Sequence, residues 1–457
     1  MRKRQRSKQS SSKVTNDLLT ARLVQTHDNS RRPTSTAACE RLRTLFLPVG
    51  YPNSVRTGYL EYQWWDVIQG LTSYLRGQLA YQSMLVGLGV GDVEATASAG
   101  ALSKIIRDTS SMVGSLLFTY VYSDEFGYDV RQWRLFADVS NDIGLTLHFV
   151  APLFGKDYFI AISCVASLMT TMCGISAGAT KAYISSHFAL ENNLTDLVAK
   201  EGSQETAVNI IGLVGGYMLL ASVGTVDQSG TAVWVSFLIL TVVHIFANIR
   251  AIQYLTFNYL NETRFVISFN HFVKGTMETG VTKYVDVCHQ EPLLPLLPLV
   301  SWLPWLPFRR HRGSSNRTST TGRVLLGSDH RFVQRNPAVG VYFPLKLDGK
   351  STKKQRDLES KFVLVQCQST QNVHVLLHTD ATVQDILKGM FEAEALHRFG
   401  ANFEENRDHW SQTTSCSQRS SNSNSFTEFQ KLLVKQGWNL DQCHFRIGRT
   451  RYSDFNI

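Results

Sequence analysis

The stretch AVWVSFLILTVVHIFANI, residues 232–249, decides the class of fold, because its 18 residues include no charged side chain. It belongs to a longer uncharged run of 22 residues, 228–249. A helix needs about 20 predominantly apolar residues to cross a bilayer, and one charge at its centre costs about 2.5–3.5 kcal/mol. The run therefore predicts a membrane-spanning helix, and the alternative is a buried helix of a large soluble all-α domain.

Two further uncharged runs precede it, residues 158–180 and residues 206–226. Only TVDQSG separates the second run from the third, which predicts a helical hairpin. Basic residues follow the third run and are absent from the hairpin tip, so the positive-inside tendency places the tip outside and residues from 250 onward inside. The first and second runs each contain two glycines four residues apart, Gly174/Gly178 and Gly212/Gly216. This spacing permits close helix packing in lipid.

The composition supports a membrane protein or a very large helical core. Charged residues make up 18% of the 457 residues, below the usual quarter or so. The net charge of +9 is concentrated near the start, where residues 1–45 hold eleven Lys and Arg against three acids. We interpret residues 1–44 as a disordered basic arm or a plastid or mitochondrial targeting segment, and not as a nucleic-acid-binding domain.

The chain divides into four parts. Residues 45–289 are predicted to form a helical domain, and residues 290–335 a linker, proline-rich and then basic. Residues 336–457 predict a small α+β domain with a hairpin formed by KFVLVQCQ and NVHVLLH. Helices are expected over 382–398 and 427–436, and the closing strand in HFRIGRT. The fold class is therefore mainly α, with a membrane-associated helical domain before the α+β domain.

Ionisable residues interrupt the apolar pattern between residues 60 and 157. Lys104, Arg107 and Asp108 lie in one such interruption, and Lys104 and Asp108 have the spacing of a pair on one helix face. Asp138 and Asp142 also share a face, with Arg134 one turn earlier, so Asp142 is expected to remain available for a cation or a proton. The alternatives for both groups are solvated helix faces or intramolecular ion pairs.

The segment GATKAYISSHFALENNLTDLVAKEGSQET, residues 178–206, is polar although it lies between apolar runs. Asn193 resembles a helix N-cap, Asp196 and Lys200 form an i,i+4 pair, and Gly202 suits a helix stop. These features account for most of the polarity. Four further groups remain as candidates for binding a ligand or partner: Lys181, His187, Asn192 and Lys200.

Catalytic and metal-binding motifs are absent from the sequence. GLGVGD at 87–92 lacks the glycine spacing of a nucleotide-binding loop, and no Walker, hydrolase or metalloprotease signature occurs. The seven cysteines are scattered, without metal-ligand spacing. The sequence therefore predicts no catalytic site, no cofactor and no metal.

Seven motifs occur in unbroken order between about residues 45 and 265 and together resemble the root UVB sensitive (RUS) family: FLPVGYPNSV (46–55), YLEYQWWD (59–66), GLGVGD (87–92), KIIRDTSSMVG (104–114), RQWRLFADVSND (131–142), GATKA (178–182) and AKEGSQETAVN (199–209). The resemblance implies a membrane-associated helical protein with no established catalytic activity. Plant members are linked to seedling development, UV-B response, auxin transport and vitamin B6 homeostasis, and some are plastid-associated.

Three hypotheses for function follow from the sequence and the resemblance. The first is a non-enzymatic integral membrane protein that acts as a scaffold or adaptor for a protein partner. Another member of the family is one candidate for that partner. The second is a transporter of a small polar metabolite, with ionisable residues around a cavity. The third is a soluble or peripheral helical interaction protein. An enzyme acting on vitamin B6 compounds would need a Schiff-base lysine, for which Lys181 is the one candidate.

Overall fold

The computed structural model describes residues 34–90, 97–190, 192–223, 226–275, 283–293, 324–327, 339–342, 361–367, 372–399 and 425–448. The predicted arm before residue 34, nearly all of the predicted linker and the serine-rich segment 411–424 lie outside these ranges. Residues 34–44, which were predicted to belong to a disordered arm or a targeting segment, lie in helix α1, Thr34–Phe46.

Six long helices form the main body: α2 Tyr59–Gly87, α3 Ala97–Tyr122, α4 Val130–Val150, α5 Gly155–Phe188, α6 Leu194–Val223 and α7 Val226–Gln253. A short 3₁₀ turn, Ala151–Phe154, joins α4 to α5. Helix α2 packs against α4, α6 and α7, and α4 packs against α5. The two consecutive helices α6 and α7 contact each other little, and each packs mainly against α2. The two helices of the expected hairpin are therefore held together through α2.

The connections between these helices gather at two ends of the bundle. At one end, which we call the junction end, Arg56 N–H donates to Phe188 O at 3.0 Å and the His187 and Phe257 rings lie 4.7 Å apart. At the opposite end, the far end, Ser83 donates to Phe149 O at 2.6 Å. The connection after α5 and the chain after α7 thus lie together, as the sequence predicted.

Three helices are long and apolar enough to cross a membrane: Asp157–Phe188, Leu194–Val223 and Gly230–Gln253. They contain the whole of the first predicted run and nearly all of the second and third. Their outward faces carry exposed apolar side chains, which is unusual for a soluble protein; on α6 and α7 these include Ile210, Leu213, Tyr217, Leu238, Val242 and Phe246. The expected mainly α fold with three apolar helices is confirmed.

Helix α6 is continuous through Gly202, so the predicted helix stop there is wrong. An interior glycine costs a helix about 1 kcal/mol. The buried apolar side chains of Leu197 and Val208 lie on either side of it and outweigh that cost.

The C-terminal unit contains the predicted hairpin. Strands β4, Phe362–Cys367, and β5, Val373–Leu377, pair antiparallel. They lie in a four-stranded sheet with β2, Val324–Leu326, beside β5, and β3, Val339–Tyr342, beside β4. Helix α10, Val383–Phe399, packs on this sheet. Strand β2 falls inside the segment predicted to be a linker.

The closing strand is displaced from its predicted position. Helix α11, Ser425–Lys435, is followed by β6, Asn439–His444, so HFRIGRT begins where the strand ends. Strand β6 pairs parallel with β1, Tyr259–Asn261, which directly follows the helical bundle. The long-range pairing with β1 carries no local sequence signal, and for that reason the prediction was wrong.

Helices α8, Glu262–Val273, and α9, Tyr284–Gln290, belong to the core of the C-terminal unit. Phe269 of α8 packs edge-on against Phe391 of α10 and Phe429 of α11, at centroid distances of 5.3 and 6.3 Å. The C-terminal unit therefore begins before residue 289 and is joined to the bundle through its own core.

Candidate functional site

Helix α2 carries five polar side chains spaced three or four residues apart: Gln63, Asp66, Gln69, Ser73 and Arg76. This spacing places them along one face of the helix. Each contacts a polar side chain of another helix. We call this column of contacts the polar seam.

The centre of the polar seam joins three helices. Gln69 Nε2 donates to Asp138 Oδ1 at 2.9 Å and lies 3.1 Å from His244 Nε2. Because the amide can only donate there, the His244 proton belongs on Nδ1, which lies 2.8 Å from Asp142 Oδ1. Arg76 forms an ion pair with the same carboxylate. Asp142 therefore has two partners, and the expectation that it remains available is wrong.

The remainder of the seam continues toward the junction end. Arg134 donates to Asp66 at 2.9 Å and lies 3.6 Å from Asp138, which agrees with the predicted Arg134–Asp138 pair. Further along, Gln63 donates to Glu201 Oε1 at 3.2 Å and Ser185 donates to Oε2 at 2.8 Å. Polar contacts therefore extend from the middle of the bundle to the start of α2.

Burial makes the seam sensitive to the loss of any one partner. Arg76 and His244 are completely buried, and Asp138 is 3% exposed. The Arg76 guanidinium also lies 5.0 Å from the centre of the Phe237 ring. Removing one partner of a buried ion pair typically costs 3–5 kcal/mol, because the other charge stays buried without compensation. The seam thus fixes the register of α2, α4 and α7.

A second polar region surrounds a cavity of about 600 Å³ between α2, α3, α4 and α5. The predicted residues Arg107 and Asp108 line it, whereas Lys104 does not. Lys104 is 65% exposed and forms the expected ion pair with Asp108. His148 of α4 also lines the cavity, a residue that sequence reasoning did not identify.

The candidates of the polar segment 178–206 make contacts that hold α1, α5 and α6 together. Lys200 Nζ donates to Thr44 O at 2.6 Å, and Lys181 Nζ donates to Glu205 Oε2 at 2.9 Å. His187 is 8% exposed, and its ring packs between Phe188 and Phe257. Asn192 is exposed in a left-handed turn, φ 58°, a conformation that Asn tolerates well.

The predicted contacts at the start of α6 are partly present. Asp196 and Lys200 pair at 3.8 Å, as expected. Asn193 occupies the position before the helix, but its side chain donates to Ser54 O at 2.9 Å and does not cap the helix. The polarity of this connection therefore serves contacts to neighbouring segments more than helix capping.

A third polar cluster, which we call the junction network, joins the bundle to the C-terminal unit. Arg131 of α4 and Arg264 of α8 both contact Glu291, at 3.2 and 3.1 Å, and Asn261 also donates to it at 2.9 Å. Burial alone would raise the pKa of Glu291, but the charges of Arg264 and Arg131 outweigh it and lower the pKa. Glu291 is therefore ionised in the folded protein.

Arg446 occupies the other side of the junction network, with three carboxylates around it. It pairs with Glu125 at 2.7 Å, with Glu262 at 3.6 Å and with Asp129. Burial raises the pKa of Glu262 to about 7 despite the favourable charge of Arg446. Burial also raises the pKa of Asp129. One guanidinium cannot compensate all three carboxylates, so the cluster favours uptake of a proton.

In the ranges that the structure describes, no group of three or more His, Cys, Asp or Glu side chains could hold a metal ion. Lys181 is paired with Glu205 on the surface. The predictions that the chain has no metal, no cofactor and no catalytic site remain predictions.

The fold and these contacts define a mainly helical protein with three helices able to cross a membrane and a small α+β unit at one end of the bundle. The chain belongs to the root UVB sensitive (RUS) family. A vitamin B6 photo-protection and homoeostasis domain matches residues 32–276, and a root UVB sensitive protein C-terminal domain matches residues 350–448. No solved structure matches the chain.

Relatives occur in plants and in an amoeba. Protein root UVB sensitive 3 of Arabidopsis thaliana is 36% identical over 357 residues, which are 78% of this chain and 75% of that protein. RUS family member 1 of Dictyostelium discoideum is 38% identical over 229 residues, 50% of this chain and 43% of that protein. Protein root UVB sensitive 2, chloroplastic, of Arabidopsis thaliana is 30% identical over 243 residues, 53% of this chain and 54% of that protein.

Proposed function

We propose that this chain is an integral membrane protein of the RUS family that acts as a non-enzymatic scaffold in development or metabolite homeostasis. Helices α5, α6 and α7 cross the bilayer, and the junction end presents the C-terminal unit to a protein partner. The exposed apolar faces of α6 and α7 support insertion, since lipid would cover them.

The observation that carries the scaffold proposal is the rigid attachment of the C-terminal unit. Its core includes Phe265, Phe269 and Phe272 of α8, directly after the bundle. The junction network adds ion pairs between α4, α8 and the chain after β6, and those of Arg131 and Arg264 with Glu291 are completely buried. A unit attached in this way has a fixed orientation relative to the membrane, and an adaptor needs that property.

The polar seam supports a scaffold over a carrier. Asp138 and Asp142 pair with Arg134 and Arg76 instead of facing a shared cavity. A carrier must change the packing of its central helices during each cycle, and here that change would break several buried ion pairs. The seam is better suited to a bundle with one stable arrangement.

The proposed partners are the lipid bilayer and another member of the RUS family. The basic arm at the start favours an organelle membrane, plastid or mitochondrial, and one relative is named chloroplastic. No feature of the charge distribution favours nucleic acid.

Co-purification tests the scaffold. This chain and a second RUS family member, with different tags, are co-expressed and solubilised in mild detergent, and we expect them to be recovered together. Arg446→Ala should lower recovery of the second protein several-fold, because it loosens the C-terminal unit. Arg41→Ala, at an exposed position of α1, is the control. Lack of co-recovery, or equal recovery with both variants, contradicts the proposal.

Transport of a small polar metabolite is the second candidate, and the cavity beside Arg107 favours it. Rescue of cells that lack the protein separates the two candidates. In the double variant Arg76→Met with Asp142→Leu, a well-packed apolar pair replaces an ion pair at the centre of the seam. A scaffold keeps its function after this change, whereas a carrier that uses these charges loses it although the variant is folded and present at normal levels.

A further inference from the structure

The cavity between α2, α3, α4 and α5 has the size and the composition of a small-molecule site. Its volume of about 600 Å³ falls within the usual range of roughly 300–1,000 Å³ for ligand pockets. Ala80, Met84 and Leu145 supply apolar surface, and the rest of the lining is largely polar. The cavity is open where Tyr81 and Met112, which are 55% and 67% exposed, reach its edge.

Arg107 supplies a positive charge to this cavity that is only partly compensated, because Asp108 is shared with Lys104. Its side chain is 14% exposed, and its Nε lies 3.8 Å from Asp108 Oδ1, too far for a hydrogen bond. Lys104 occupies the other oxygen of Asp108. Within the ranges that the structure describes, the only hydrogen-bond acceptor near the Arg107 guanidinium is the Met84 thioether, which is weak. Most of its five N–H donors are therefore unused.

The α5 side of the cavity offers groups that accept hydrogen bonds. Thr170 and Thr171 donate to Ser167 O at 3.0 and 2.8 Å, so their oxygen lone pairs remain available. His148 Nε2 lies 3.4 Å from Ser167 Oγ. Ser111 and Ser115 of α3 add two further hydroxyls to the lining. A guanidinium on one wall and hydroxyls on another match a ligand with one anionic end and one polar, uncharged part.

We propose that this cavity binds a small molecule through a phosphate or carboxylate group that Arg107 holds. A planar guanidinium with free N–H groups binds such oxyanions with two parallel hydrogen bonds. The hydroxyls of α3 and α5 contact the rest of the molecule. The oxyanion comes either from a soluble metabolite or from a phospholipid headgroup that enters beside Met112. This site does not depend on the scaffold function, because it needs neither a partner nor a change of conformation.

Thermal unfolding of the purified full-length chain tests the site. One arm adds inorganic phosphate or succinate in detergent, with chloride at equal ionic strength as the reference. The other arm uses nanodiscs of phosphatidylcholine with or without phosphatidic acid. We expect a saturable rise in melting temperature in at least one arm, with an apparent affinity that falls at least tenfold in Arg107→Gln. Lys104→Gln, which removes an exposed positive charge on the same helix, should change the affinity less than threefold.

The two arms identify the source of the oxyanion. A second variant, which keeps Arg107, tests the site even if Arg107→Gln does not fold. Stabilisation by free phosphate or succinate indicates a soluble ligand, whereas stabilisation by phosphatidic acid alone indicates a lipid headgroup. Ser111→Leu fills part of the cavity without removing a charge and should also abolish the effect. The proposed site is wrong if neither arm shows stabilisation, or if Arg107→Gln and Lys104→Gln weaken the stabilisation equally. Neither outcome affects the co-purification result.

Discussion

Arg76 lies in the middle of α2 with its side chain completely buried, and it reaches Asp142 on α4, which also contacts His244 on α7. Three helices thus depend on one carboxylate for their polar contacts. Asp142 was identified from the sequence by its spacing with Asp138. Its partners were not, because Arg76 and His244 are 66 residues before it and 102 residues after it.

A signal for the α2 side of the seam was nevertheless present in the sequence. Polar residues at 63, 66, 69, 73 and 76 repeat every three or four positions. This periodicity predicts one polar helix face. A single sequence does not tell whether such a face meets water or another helix, and here it meets α4, α6 and α7.

Replacing Arg76 by Met should lower the stability of the protein by about 3–5 kcal/mol, because Asp142 would stay buried without its cation. The double variant Arg76→Met with Asp142→Leu should recover part of that loss, because no unpaired charge of this pair remains, although His244 loses its contact with Asp142. Chemical unfolding in detergent micelles measures both changes. Lys104→Met, the same substitution at a 65% exposed residue, should have little effect. Equal losses at both positions would show that the Arg76 ion pair is not essential.

The carboxylates around Arg446 predict how stability depends on pH. The pKa of Glu262 is about 7 in the folded protein, raised by burial from 4.5. The folded state therefore holds a proton that the unfolded chain releases between pH 4.5 and 7, so the contribution of Glu262 to stability falls as the pH rises through that window. Melting temperatures from pH 5 to 8 should show this fall, and Glu262→Gln should flatten it. A fall of the same size in both proteins would contradict the prediction.

At the scale of elements, uncharged runs predicted the three apolar helices but not their full length. The runs have 23, 21 and 22 residues, whereas α5, α6 and α7 have 34, 30 and 28. The extra turns carry charges that pair with neighbouring segments, for example Lys200 with Thr44 O. Charges also interrupt the apolar pattern over α2 and α3, so uncharged runs do not predict these two helices.

Glycines show where two helices meet closely, and Gly144 is the clearest case. A Cβ atom added at Gly144 of α4 would lie 2.6 Å from Thr170 Cγ2 and 2.9 Å from Ala166 O of α5. Gly144→Ala should therefore destabilise the protein by about 1–3 kcal/mol, although alanine favours a helix. The measurement is again unfolding in detergent.

Gly174 on α5 provides the matched control for Gly144. A Cβ atom added there would meet no atom within 4 Å. Gly174→Ala should leave stability unchanged or raise it by up to about 1 kcal/mol, because alanine has the better helix propensity. If both substitutions changed stability by the same amount, the close approach of α4 and α5 would be wrong.

At the scale of the whole molecule, the sequence predicted a helical part followed by an α+β part, but not how the two are joined. The change in residue pattern suggested a boundary at 289. The phenylalanines of α8 precede that boundary and pack against α10 and α11. Contacts between residues more than 100 positions apart, such as Phe269 with Phe391, leave no local pattern in one sequence.

We propose that the bundle crosses a bilayer with the connection after α5 and the C-terminal unit on the same side. Both lie at the junction end, where the ring centres of Tyr183 of α5 and His444 of β6 are 6.0 Å apart. The most direct test is alkaline carbonate extraction of membranes from cells that express the chain. It is followed by protease protection of tags inserted after residue 190, between α6 and α7, and at the C-terminus.

We expect the protein to stay in the membrane pellet after extraction. The tags after residue 190 and at the C-terminus should share one protease sensitivity, and the tag between α6 and α7 should show the opposite one. Release of the protein into the supernatant, or equal sensitivity of all three tags in sealed membranes, would show that the bundle does not cross a bilayer in this arrangement.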